Sequence, residues 1–239
     1  MIGRIIWLAA LLALALITGA AQIDRQARVT PSLANAVPEP FRGFAQARIA
    51  ARAIAGEDTA RALAEAKRLV ARRPIPAEHL RLLAAAQIEA GLIEESAVTV
   101  QVAARRGWRD APSQQAMLRL ALAAGDRPEA ARRYAALLVA SRTEEALLEE
   151  LGALVFAEPD ESARATFAEI VAAGERWHDY YLRRAARVMP PATMVDVTEA
   201  AIADGARFDC RAVDLATGQL TRRDPEAGKQ FADLFSTAC

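Results

Sequence analysis

Among its 239 residues the chain holds 2 cysteines, 2 histidines, 2 lysines and 1 asparagine, and aromatic residues make up 5%. Each scarcity excludes something. Two cysteines cannot frame a small cystine-stapled domain. Neither His79 nor His178 has a partner at metal-ligand spacing such as His-x-x-x-His or Cys-x-x-Cys, so no metal site is assigned. No excess of positive charge exists: 30 Lys+Arg face 30 Asp+Glu, which excludes bulk nucleic-acid binding. No Gly-x-Gly-x-x-Gly, P-loop or Gly-x-Ser-x-Gly motif occurs. The doublets Glu94-Glu95, Glu144-Glu145 and Glu149-Glu150 sit among alanines and leucines and read as solvated helix faces. The expectation is a non-enzyme, with no catalytic residue and no cofactor. The enzyme alternative rests on His178 and Asp179 alone.

Alanine is the commonest residue, leucine is the other dominant apolar one, and nearly all the basic residues are arginine. Ala, Leu, Arg and Glu are the strongest helix formers. The β-branched and aromatic residues that fill strands are sparse, and no long alternating pattern occurs. The chain reads as all-α. Its arginines spread along the whole length, which fits a GC-rich codon bias as well as bidentate anion recognition.

Residues 1–23 stand apart. Arg4 is followed by a run from Ile5 to Ala21 that carries no charge. As a helix this run reaches about 25 Å, the lower edge for a bilayer core. Arg4, the apolar run and Gly19-Ala20-Ala21 also fit a signal peptide. Residues 1–23 are therefore an uncleaved transmembrane anchor, favoured by Trp7 as an interface residue, or a signal peptide. Arg25 and Arg28 balance Arg4, so charge alone does not orient the span. The likeness to a secretion signal places the soluble part in the periplasm, on the inner membrane or released from it. Residues 24–40 carry three prolines and read as an extended spacer.

The remainder repeats. Ala62, Ala66 and Leu69 are followed at one fixed interval by Ser96, Val100 and Ala103, and at the same interval again by Ala130, Tyr134 and Leu137. Ala163 and Phe167 continue the series with a one-residue offset. Gly56, Gly91 and Gly125 fall in the turns. Asp126-Arg-Pro-Glu129 has the form of a capping box, and Asp160 can cap the helix that follows it. Gly91, Gly107, Gly125 and Gly174 are expected to close helices in the left-handed conformation. The interval, about 34 residues, is the unit length of the tetratricopeptide repeat. The pattern resembles that family over residues 41–174, although the family's Trp-Leu-Gly and Tyr signature is missing around Leu80, Leu83 and Ala84. The resemblance implies an α-solenoid of stacked antiparallel helical hairpins whose first helices line a groove for a protein or peptide. It places Arg81, Ala85, Gln115 and Arg119 toward that groove, where Arg81 and Arg119 would meet acidic groups. Relatives that clamp a C-terminal carboxylate use an Asn that is absent here.

Residues 175–239 read as a degenerate hairpin and a capping pair: a helix over 175–189, a break at Pro190-Pro191, a helix over 192–204, a short one over 210–216 and a last one from Pro225. Cys210 and Cys239 form a disulfide in an exported chain, worth about 3 kcal/mol in the loop-entropy picture, or remain two free thiols. Trp177, Tyr180 and Tyr181 form an aromatic cluster read as core or as a binding patch, and Trp108 as joint filler or a contact for anion or glycan. The functional expectation is a membrane-tethered scaffold for protein–protein interaction in a bacterial envelope. The alternative is an accessory of envelope polysaccharide assembly or export that touches glycan through these aromatics.

Overall fold

The computed structural model describes residues 2–140, 143–157 and 161–239. Among them are thirteen α-helices, three short 3-10 segments and no strand. The chain divides into two compact units, Met1–Gly107 and Trp108–Cys239.

The first unit opens with α1, Ile2–Gln26. Its large apolar side chains stay exposed, and only Ala20 and Asp24 are buried. An 18-residue stretch of mean hydropathy 2.1 is wholly uncovered. By length and composition α1 can cross a bilayer, and a signal sequence meets the same test. Next come two 3-10 segments, Pro31–Ala36 and Glu39–Phe41, and the helices α2 (Phe44–Ile54), α3 (Thr59–Arg72), α4 (Ala77–Glu89) and α5 (Ile93–Arg106). α2 pairs with α3 and α4 with α5, while α4 also packs on α2 and α3.

The extended spacer expected over residues 24–40 is instead folded against this unit. The Asp24 carboxylate accepts the backbone N–H groups of Gly43, Phe44 and Ala45 at 2.9, 3.0 and 2.9 Å. It thereby caps α2 from a distant point in the chain, satisfying orphan donors and facing the positive end of the helix dipole. Ala27, Ala34 and Val37 bury with Ala45 and Ile49 in a small core. The prolines shape 3-10 turns rather than extended chain because these apolar side chains give the segment something to pack on.

The second unit holds α6 (Ala111–Ala123), α7 (Arg127–Val139), α8 (Glu145–Val155), α9 (Ser162–Ala172), α10 (His178–Val188), α11 (Pro191–Ala203), α12 (Cys210–Arg223) and α13 (Pro225–Leu234). Two layers form. In one, α7 packs on α9, α9 on α11 and α11 on α13; in the other, α8 packs on α10 and α10 on α12. The hairpins α6–α7 and α12–α13 are close-packed pairs. A chain of ring contacts runs through the interior from Phe156 and Tyr134 (5.4 Å) through Phe167 (5.9 Å from Tyr134) to Tyr181 (6.0 Å). Burial raises the phenol pKa values of Tyr134 and Tyr181 well above the ordinary tyrosine range.

The repeat positions behave as spacers and fillers. Ala62, Ser96, Ala130 and Ala163 are buried where helices approach closely. One turn on, Ala66, Tyr134 and Phe167 fill the core, and Val100 is half-buried. The starts of α3, α5 and α7, at Thr59, Ile93 and Arg127, keep the interval seen in the sequence. Paired helices continue past Gly174.

Several local expectations change. Gly91, Gly125 and Gly205 take positive φ and close helices, with the next N–H reaching back, as Leu92 does to Gln87 O and Asp126 to Ala121 O. Gly107 and Gly174 have φ of −124° and −121° and do not. The capping box at Asp126 is half-formed. Its carboxylate accepts the Glu129 N–H, but its own N–H is already spent on Ala121 O, and Glu129 pairs with Arg132 and Arg133 instead. The Asp160 cap lies outside the described residues. Glu175–Trp177 is a 3-10 turn ahead of α10, and α12 runs to Arg223 rather than stopping near Ala216. Cys210 and Cys239 are bonded, which ties the C-terminus to the start of α12.

Candidate functional site

In the second unit, α8, α10 and α12 leave a concavity of about 740 Å³. Its chemistry is built on α10. Successive turns of that helix place Tyr180, Arg183, Arg184 and Arg187 along the lining, and Arg222 of α12 adds a fourth guanidinium. Arg184 is 5% exposed. Its Nη1 donates to Leu138 O at 2.9 Å, Ala140 O at 2.8 Å and the Tyr180 hydroxyl at 2.9 Å, and its Nη2 donates to Thr143 O. These carbonyls lie at the end of α7 and just before α8, so Arg184 binds the negative pole of α7. All four partners are neutral. The cation is desolvated and hydrogen-bonded, yet its charge is not cancelled by any of them.

Around this floor, Arg183 and Arg222 are exposed, and Arg187 pairs with Glu145 at 3.1 Å. That pair is about half exposed on both sides and is worth little. Glu144 and Glu145 are the carboxylates in the lining, against four guanidiniums. Thr143 also lines the concavity and is 7% exposed, and its Oγ1 has no hydrogen-bond partner among the described residues. The exposed guanidiniums of Arg183 and Arg222 in this lining suit a carboxylate or phosphate oxygen.

No family model, curated protein or solved structure matches the chain. The chemistry of its own residues therefore carries the reading of the site.

The residues selected from sequence scatter. Tyr180 reaches the concavity. Tyr181 does not: it is fully buried, with its hydroxyl 3.0 Å from Thr198 Oγ1. Trp177 packs on the core with its ring 5.7 Å from Tyr181. The cluster thus divides into one lining tyrosine and two core rings, because neighbouring helix positions point about 100° apart. Trp108 is 52% exposed, with the Arg109 guanidinium 4.5 Å from its ring centroid. Arg119 pairs with Glu150 at 3.1 Å, and Gln115 is half-buried on α6. Arg81 belongs to the first unit and lines a separate cavity there.

Both histidines are buried, and His79 also lines the first-unit cavity. His79 Nδ1 lies 2.9 Å from Arg73 O. His178 Nδ1 and Nε2 lie 2.8 and 2.7 Å from Arg207 O and Val171 O, so its ring nitrogens face carbonyls and not Asp179. Sequence reasoning missed Arg183, Arg187 and Arg222. A signal for Arg184 was present: it falls between Tyr181 and Val188 at helical spacing, inside the apolar stripe of α10.

Proposed function

We propose that this chain is a membrane-tethered helical-repeat scaffold whose second unit captures an acidic segment of another protein in a bacterial cell envelope. The observation that carries the reading is the buried Arg184, whose hydrogen-bond partners among the described residues are all neutral, under a concavity lined by Arg183, Arg187 and Arg222. The regular rhythm of helix pairs, with small residues at the close approaches, supports a tetratricopeptide-like solenoid, a class of fold whose curved surfaces bind partners. Tethering by α1 would raise the local concentration of partners in the membrane plane. The Cys210–Cys239 bond supports an oxidising compartment, hence a periplasmic soluble part.

The test is calorimetric titration of the full chain with a glutamate-rich peptide at low and high salt. Wild type is expected to bind, more weakly as salt rises. The variant carrying Arg183→Glu and Arg222→Glu, both exposed and away from the core, is expected to lose at least about tenfold in affinity. Equal binding by the two proteins would remove the site assignment.

A further inference from the structure

We infer that a second basic concavity, in the first unit at the foot of α1, holds the phosphate headgroup of an anionic phospholipid. This inference rests on reading α1 as a retained membrane span.

Two adjoining cavities share Arg28 and Phe44. One, about 680 Å³, is walled by the last turns of α1 through Gln22, Arg25 and Gln26. The other, about 470 Å³, is lined by Arg48, Arg73 and Arg81. Phe44 organises the cations: the Arg73 guanidinium lies 4.3 Å from its ring centroid and that of Arg28 lies 5.7 Å away. Among the described residues the first lining has no carboxylate, and the second has Glu78. Even with Arg81 set aside, Arg25, Arg28, Arg48 and Arg73 outnumber Glu78.

Asp24 sits among them in sequence but does not offset them at the surface. It is 7% exposed, and its two oxygens accept three N–H groups at the start of α2. That same cap fastens the end of α1 to α2, so the cavities keep their place beside the apolar helix. The exposed apolar residues of α1 end at Ile23, and Arg25 and Arg28 follow within about a turn and a half. With α1 as the span, these residues fall at the level of the lipid phosphates, where basic side chains near an anionic surface each add to binding. A lipid headgroup is favoured over an acidic peptide because one wall of the cavity is the span itself. Val29, 72% exposed on the rim, gives acyl chains an apolar contact.

The experiment uses the full chain in nanodiscs of phosphatidylcholine alone or mixed with phosphatidylglycerol. Deuterium uptake is followed in peptides covering residues 44–54 and 73–82. Phosphatidylglycerol should slow uptake there, and inorganic phosphate added to phosphatidylcholine discs should not. The variant Arg25→Gln with Arg48→Gln, at two exposed positions, should lose roughly tenfold of the lipid preference while remaining in the discs. Uptake insensitive to lipid composition, in protein that stays in the disc, overturns the headgroup site. Protection by free phosphate alone overturns the lipid assignment in favour of a soluble anion. Intact mass and co-elution with discs report separately on α1: a chain from its native host cleaved near Ala21 defeats both the anchor reading and this proposal.

Discussion

Arg184 shows why arginine rather than lysine occupies so many positions. One planar fork reaches Leu138 O, Ala140 O, Thr143 O and the Tyr180 hydroxyl together, which a single ammonium group cannot do in this geometry. Ala140 O also accepts the Thr143 N–H at 3.0 Å, but removing Arg184 takes the side-chain donor from Leu138 O and Thr143 O, at and beyond the end of α7. Arg184→Met is therefore expected to cost about 3 kcal/mol, and Arg184→Lys somewhat less, in urea unfolding of the full chain. A midpoint unmoved by Arg184→Met would show that the carbonyls find other donors. At this scale much was legible in the chain and much was not. The small residues Ala62, Ser96, Ala130 and Ala163 were visible as a period, and all four are buried. The roles of individual arginines were hidden, because a guanidinium on a helical repeat looks the same whether it reaches solvent or a carbonyl one repeat away.

Helix ends carry the same device. Arg72 closes α3 and donates to Glu39 O and Arg42 O, while Arg106, at the matching place in the next repeat, closes α5 and donates to Pro74 O at 2.5 Å. Arg223 ends α12 and reaches Ala186 O and Met189 O at the end of α10, both at 2.9 Å. Each link joins a helix end to chain roughly one repeat earlier; Arg106 and Arg223 thereby fasten a hairpin to the helices before it, and Arg72 fastens α3 to the segment leading into α2. Asp58, Asp110, Asp126, Asp209 and Asp224 cap the other ends. These caps were partly legible, since aspartate before an apolar periodic run is a local signal. The length of α12 was not. The helix read over 210–216 continues past Thr217-Gly218, because buried Leu220 draws it onward to Arg223. Two glycines separate local propensity from packing. At Gly218 an added Cβ has Arg222 Nη1 as its nearest neighbour, 3.8 Å away, so Gly218→Ala is expected to stabilise by about 0.5–1 kcal/mol. At Gly228 the same methyl would lie 2.6 and 2.7 Å from the backbone Cα and N of Thr221, where α12 and α13 meet. Gly228→Ala should destabilise by about 1–3 kcal/mol despite the better helix propensity. Thermal melts of the two variants should move in opposite directions; a rise for both would mean that the α12–α13 contact is loose.

Over the whole molecule, the two units differ in what fills them. The first unit's buried clusters are chiefly alanine, with Ala27, Ala34, Val37, Ala45 and Ile49 in one and Ala62, Ala66 and Ala86 in another. The second unit buries Tyr134, Phe167, Tyr181 and Phe231 together with several leucines, and has the Cys210–Cys239 bond besides. Hydrophobic stabilisation follows apolar area removed from water, and an alanine methyl removes far less than a leucine or an aromatic ring. The all-α class and the hairpin rhythm were legible because they follow from composition and spacing; this inequality was not, because the repeat pattern matches Ala66 with Tyr134 as if they were equivalent. A fragment covering residues 108–239 is accordingly expected to fold by itself, with a cooperative melt and near-ultraviolet circular dichroism from its packed rings. Reducing its disulfide should lower stability by about 3 kcal/mol if the loop-entropy account holds. In native-state hydrogen exchange of the full chain, amides of α2 to α5 should open at lower free energy than those of α7, α9 and α11. Equal protection in the two sets would mean that the alanine-rich unit draws its stability from elsewhere, with the Asp24 cap and the backbone-directed arginines Arg72 and Arg106 as the contacts to remove next.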